Sequence, residues 1–160
     1  MPHVYLAKNY MRVKAAKEAG FTTCSLQGSS RSAKTYSVVQ FLCLLCHSVA
    51  GETVSIVRGG MPAFKRSVSR DVKDIMLSFG WWDDRSMNKT EFVYTFPNGS
   101  WIEFFSTDNE QKMRGSKRKI LFVNEANELS FIEWQQLQMR TTEFSILDYN
   151  PSFSEDHWIN

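Results

Sequence analysis

The sequence predicts an α/β domain with a mainly parallel sheet flanked by helices, and three observations predict it. Short β-rich runs alternate with longer helical ones along the chain. A Gly/Ser-rich turn joins the first β-run to a long apolar segment free of Gly and Pro. Further on, the short apolar run at 120–123 stops at the polar pair Asn124-Glu125. Right-handed crossovers between parallel strands put helices on both faces of such a sheet.

The elements follow in order. Residues 3–19 carry Lys8, Arg12, Lys14 and Lys17 at helical spacing and stop at Gly20, so an entry helix is expected. Residues 21–26 are short and rich in β-formers, which makes a strand. Residues 34–49 are apolar and too long for a strand, which makes a buried helix. Residues 53–57 form a second strand before a Gly59-Gly60 turn. Residues 62–79 form an amphipathic helix with Pro62 in its first turn. Residues 91–96 and 101–106 flank Pro97-Asn98-Gly99-Ser100, the pattern of an antiparallel hairpin. A strand at 120–123, a helix at 130–139 and a last strand at 144–147 complete the domain, with Asn150-Pro151 as the stop.

Composition narrows the class. A chain of 160 residues, 42% hydrophobic and 14% aromatic, supports one packed core and excludes disorder. A net charge of +2 is too small to point to a partner, so any nucleic-acid signal must be local. No apolar run reaches the roughly 18 residues of a membrane span, and no membrane partner is expected. The N-terminus lacks the pattern of a secretion signal. Cys24, Cys43 and Cys46 are an odd, sparse set, expected to be reduced thiols in a cytosol.

Gly28-Ser29-Ser30-Arg31-Ser32-Ala33-Lys34-Thr35 fits the phosphate-loop pattern G-x-x-x-x-G-K-[ST] except at Ala33, which replaces the second glycine. Gly28 allows the sharp exit from the strand. The following N–H groups form an anion nest that the helix N-terminus reinforces. Lys34 supplies a point charge for the β- and γ-phosphates of ATP, and the Thr35 hydroxyl is a ligand for Mg²⁺. Alanine at 33 is a mild change provided its φ is negative. Arg31, inside the loop, is either a solvated side chain or a cis-acting stabiliser of charge during phosphoryl transfer.

The strand at 120–123 delivers Asn124-Glu125, which has two readings. One is a helix N-cap with an acidic first turn. The other is a hydrolytic pair, in which Glu125 activates the attacking water and Asn124 holds Mg²⁺ through water. The upstream phosphate loop favours the second. An amide binds metal-bound water less well than the usual aspartate, and Asp148 on a neighbouring strand is a candidate to compensate.

The run Arg114-Gly115-Ser116-Lys117-Arg118-Lys119, the strand after it, and then Asn124-Glu125-Ala126-Asn127-Glu128-Leu129 resembles the terminase large subunits of tailed phages. In that family an Arg-Gly segment precedes the acidic strand, which runs into a [D/N]-E-A-x-E segment. A phosphate loop with an internal arginine is similar to the family's form. Ile146-Leu147-Asp148-Tyr149-Asn150-Pro151 resembles its third motif, which couples γ-phosphate status to movement. The resemblance implies an additional-strand, RecA-like P-loop ATPase whose third-motif strand lies between the other two. It implies Asn150 as the γ-phosphate sensor and ATP with Mg²⁺ as cofactors. It further implies a ring of subunits on the portal protein of an empty capsid, working with a small terminase subunit to pump double-stranded DNA inward in the host cytoplasm. Family members continue into an RNase H-like nuclease domain. This sequence stops at Asn160, so the expectation is a truncated ATPase domain over 1–160 without the nuclease.

Other residues carry weaker signals. Lys112, Arg114, Lys117, Arg118 and Lys119 form a dense basic cluster, either a DNA or neighbouring-subunit contact or a solvated loop. Lys65, Arg66 and Arg70 pose the same choice. Cys43-Leu44-Leu45-Cys46-His47 has haem-attachment spacing, but it sits in the apolar helix, where core cysteines explain it better. Trp81-Trp82 and Phe104-Phe105 read as packing rather than base stacking. The resulting expectation is ATP hydrolysis powering viral DNA packaging. The rivals are another DNA-dependent or helicase-like P-loop ATPase, a small P-loop kinase, and a nucleotide-binding remnant without turnover.

Overall fold

A computed structural model describes residues 9–28, 33–59, 63–115, 117–151 and 157–159, with backbone alone over 63–67. Its elements, in chain order, are α1 (Tyr10–Glu18), β1 (Thr23–Gln27), α2 (Lys34–Ser48), β2 (Thr53–Arg58), α3 (Ala63–Ser78), β3 (Met87–Asn88), β4 (Val93–Thr95), β5 (Trp101–Ser106), α4 (Glu110–Gly115), β6 (Arg118–Val123), α5 (Phe131–Met139) and β7 (Thr141–Tyr149). The strands form one sheet in the order β1-β7-β6-β2-β5-β4-β3. The first five in that order run parallel, and β4 and β3 add an antiparallel edge. The strand of the third motif, β7, lies between those of the other two, as the resemblance implied.

Each face of the sheet has its own core. On one face α1, α2 and α3 cover Val54, Ile56, Ile102, Phe104, Ile120, Phe122, Phe144 and Ile146. Val68, Val72, Ile75 and Met76 recur at helical spacing and form the buried stripe of α3. Cys43 and Cys46 are free and fully buried in α2, where desolvation pushes both thiols far above their ordinary range, and His47 stacks on Trp81 at 3.5 Å between ring centroids. The haem spacing is therefore core packing. On the other face a smaller core gathers Val57, Phe105, Leu121, Val123 and Leu147 beneath Met113 of α4 and Leu137 of α5.

Three differences from the sequence reading have local causes. β7 begins at Thr141, three residues before the expected strand, because Thr141, Thr142 and Glu143 lack apolar alternation but have β6 as a ladder partner. The basic stretch before β6 contains the short helix α4, whose Lys112 N–H donates to the Asn109 side chain at 3.1 Å. The hairpin gains a third strand, β3, paired with β4 through Met87 and Asn88. The part of the entry helix expected before Asn9, and Gly60, lie outside the described residues. No described helix is long and apolar enough to cross a membrane.

Candidate nucleotide site

The carboxyl ends of the parallel strands carry the chemistry. In an open α/β sheet the crevice there, where strand order reverses, is the natural ligand site. Register brings the pieces together: Leu26 of β1 pairs with Asp148, Val123 with Leu147, and Val57 with Val123. The ladder continues one step past the strands, since Gly28 N–H donates to Tyr149 O at 3.2 Å and Asn124 N–H to Val57 O at 2.9 Å. A cleft of about 440 Å³ opens at this edge, lined by Lys34, Thr35, Asp71, Asn124, Glu125, Asp148 and Asn150, among others. That volume suits a nucleotide-sized ligand.

Asp148 is the hub. It is 1% exposed and accepts four bonds: from the Thr35 hydroxyl at 3.0 Å, from the Asn124 amide at 2.9 and 3.2 Å, and from the Glu125 backbone N–H at 2.6 Å. Burial pushes its carboxyl above the usual range, while those donors and the Lys34 charge pull against it. The Asn124 amide also donates to Thr35 at 2.9 Å. The nitrogen of Asn124, not its oxygen, therefore faces the hydroxyl and the carboxylate. Asn124 acts as a donor that orients Asp148, and the carboxylate beside Thr35 comes from β7.

Lys34 is 7% exposed, and its ammonium donates to the carbonyl of Gly28, across the mouth of the loop. Ala33 has φ 55° and ψ 24°, the left-handed region. The proviso of a negative φ at this position does not hold. A Cβ here costs about 1 kcal/mol, the strain a glycine avoids. Ser29, Ser30, Arg31 and Ser32 lie outside the described residues.

Glu125 is held differently. It too is left-handed, at φ 49°, and its carboxylate meets the Arg58 guanidinium at 2.5 Å. Arg58 also lies 3.4 Å from Glu128. Partial burial and a hydrogen bond with Glu128 push the Glu125 carboxyl up, and Arg58 pulls it down. Arg58 and Asp71 were missed in the sequence. The available signal for Arg58 was a charged residue at the carboxyl end of an otherwise apolar strand.

The basic cluster does not act as one surface. Arg118 is 1% exposed: it donates to Ser55 Oγ at 2.7 Å and to Leu137 O at 3.2 Å, and its guanidinium lies over the Phe105 ring. Ser55 in turn donates to Glu103 at 2.6 Å. Arg118 is thus a buried structural residue, and its reading as a DNA contact is corrected. Lys112 donates to Glu91 O at 2.7 Å and lies 3.6 Å from Glu103, while Lys119 lies 3.8 Å from Glu52. Arg114 and Lys117 are exposed, as is Arg70 on α3. The side chains of Lys65 and Arg66 lie outside the described residues.

The site has the donors Mg²⁺ prefers, a hydroxyl and a carboxylate as hard oxygens. No group of three His, Cys, Asp or Glu side chains suited to a metal occurs among the described residues. An ion held by one or two protein oxygens and by ligand phosphates fits this arrangement.

Similar folds have been solved. The large terminase of a thermophilic bacteriophage superposes with a TM-score of 0.75 at 14% identity, over 92% of this chain and 40% of that one. The large terminase ATPase domain of Thermus phage P74-26 gives 0.64 at 13% identity, over 97% and 67%. The HK97 bacteriophage large terminase gives 0.62 at 11% identity, over 93% and 33%. At these identities the likeness establishes the fold, an α/β P-loop domain of the RecA-like kind. The chain spans about 40% of the length of the thermophilic phage protein. No curated protein matches significantly. The family model for the phage terminase large subunit matches residues 22–160, which takes in residues 28–35, the Asn124-Glu125 strand and the whole of β7. The chain belongs to the phage terminase large subunit family.

Proposed function

We propose that this chain binds and hydrolyses ATP as the motor portion of a terminase large subunit, driving double-stranded DNA into a capsid. The observation that carries the proposal is the convergence of Lys34, Thr35, Asn124 and Asp148 on one cleft at the switch point of the sheet. Family membership supports it. So do structures of the thermophilic phage's large terminase in complex with ADP and with ATP-γ-S, similar at TM-scores of 0.68 and 0.69. In this reading residues 28–35 cradle the phosphates, and the Lys34 ammonium leaves the Gly28 carbonyl for the β- and γ-phosphates. Thr35 and Asp148 hold Mg²⁺, with Asn124 orienting Asp148. An ion held there would supply neutralisation of charge on the phosphates. Glu125 takes the proton of the attacking water, Arg31 stabilises developing charge, and Asn150, on the lip of the cleft, reports γ-phosphate status. The partners are double-stranded DNA, the portal protein, the small terminase subunit and further copies of the chain in a ring, in the host cytoplasm. Arg114 and Lys117 are the members of the basic cluster placed to touch DNA or a neighbouring subunit.

Calorimetric titration of Mg-ATP into the chain, beside Lys34→Ala, tests the site. Binding that the substitution weakens at least tenfold is expected. Equal binding by both proteins would refute a phosphate site at Lys34.

A further inference from the structure

We propose that His157 and Trp158 are positioning residues: their ring N–H groups clamp the backbone of the turn that follows Glu125 and so set where the base stands. The inference rests on the reading of Glu125 as the base. Glu125 opens the tight turn Ala126–Glu128, and its own backbone is left-handed at φ 49°. Within the turn Glu128 N–H donates to Glu125 O at 3.0 Å and Leu129 N–H to Ala126 O at 3.1 Å. Those bonds leave the carbonyls of Asn127 and Leu129 to find donors elsewhere. The donors come from residues 157–159. His157 Nε2 lies 2.9 Å from Asn127 O, and Trp158 Nε1 donates to Leu129 O at 2.8 Å. A carbonyl can only accept, so Nε2 carries the His157 proton, and Nδ1 in turn accepts the Ile159 N–H at 3.3 Å. The clamp is itself anchored. The Trp158 ring stacks on Trp134 of α5 at 5.5 Å between centroids, and Trp158 and Ile159 pack against the smaller core. The two donors therefore grip the turn on either side of Glu128 and fix it to the packed face of the sheet. A three-residue turn has few bonds of its own, and a small rotation at its left-handed entrance redirects the Glu125 side chain. Two further donors remove that freedom without touching the carboxylate.

Amide hydrogen exchange and turnover test the clamp in the 160-residue chain, with His157→Ala, His157→Gln and Trp158→Phe. Trp158→Phe keeps an aromatic ring against Trp134 and removes the N–H, while His157→Gln keeps an N–H donor where Nε2 stood. Exchange at the Glu128 and Leu129 amides should quicken about tenfold in His157→Ala and in Trp158→Phe, while the amides of Val57 and Val123 in the sheet keep their rates. In both variants kcat should fall about tenfold at unchanged KM, with affinity for Mg²⁺ and ATP-γ-S and the unfolding midpoint near wild type. His157→Gln should recover most of both losses. Unchanged exchange at Glu128 and Leu129 overturns the clamp. Faster exchange with undiminished kcat overturns the positioning role, and a kcat that falls only in step with nucleotide affinity or the unfolding midpoint makes the pair mere scaffold. A wild-type chain that binds Mg-ATP without turning it over also overturns the proposal, since the clamped Glu125 would then be no working base. Failure of the underlying reading shows differently. If the wild-type chain does not bind ATP-γ-S, or if Glu125→Gln turns over like wild type, the reading of the site falls and the positioning role falls with it, whatever the exchange rates.

Discussion

The carboxylates at the ends of β6 and β7 are neighbours held in opposite ways. Asp148, at the end of β7, is 1% exposed and saturated by three neighbouring groups. Glu125, just past β6, has a side chain 40% exposed and is held by the Arg58 guanidinium and a hydrogen bond with Glu128. A buried carboxylate bonded by three neighbouring groups cannot move without leaving several donors unpaired. A half-exposed carboxylate on one ion pair can exchange that partner for water at little cost. In the proposed mechanism these two carboxylates take separate tasks, the rigid one placing an ion and the more exposed one moving a proton.

The largest expected effect comes from breaking the rigid half. Asp148→Ala leaves Thr35, Asn124 and the Glu125 N–H facing an empty space, and should cost about 3 kcal/mol of stability in urea unfolding. A loss no larger than that of an exposed residue would remove the contrast between the two carboxylates. Glu125→Gln should do the reverse. Its unfolding midpoint should stay near wild type while single-turnover hydrolysis slows about 100-fold or more.

The same contrast recurs within the basic stretch. Arg118→Ala opens a buried network and should cost about 2 kcal/mol, whereas Lys117→Ala should stay within about 0.5 kcal/mol by the same measurement. Similar losses for both would contradict the burial of Arg118. The smallest effect concerns backbone strain. Ala33→Gly removes the Cβ from a left-handed residue and should raise stability by about 1 kcal/mol, read as a higher thermal midpoint. A lower midpoint would mean that φ at this position is not positive in solution.

Much of the site was legible in the sequence, because its signals are local. Gly28, Lys34 and Thr35 lie within one strand-turn-helix unit, and the apolar run before Asn124-Glu125 announces a strand whose end must be polar. The parallel order of β1, β7 and β6 followed from alternation and the resemblance. What stayed hidden depends on pairings distant in sequence. Arg58 becomes a site residue only when β2 docks beside β6. Asn124 becomes a donor only when β7 brings Asp148 within reach. Arg118 looked like part of a solvent-facing basic run, because five cations close together give no hint that one of them turns into the core beneath α5.

Sequence by itself determined the alternation of strands and helices and the placing of Lys34, Thr35 and the acidic corner at strand and helix ends, since periodicity, turn residues and motif spacing act over a few neighbouring positions. Tertiary structure alone decided which carboxylate is buried and which is half-exposed, and which cation turns into the core. Those properties come from desolvation, strand register and close approach of the backbone, and each arises only when segments far apart in the chain share one small volume.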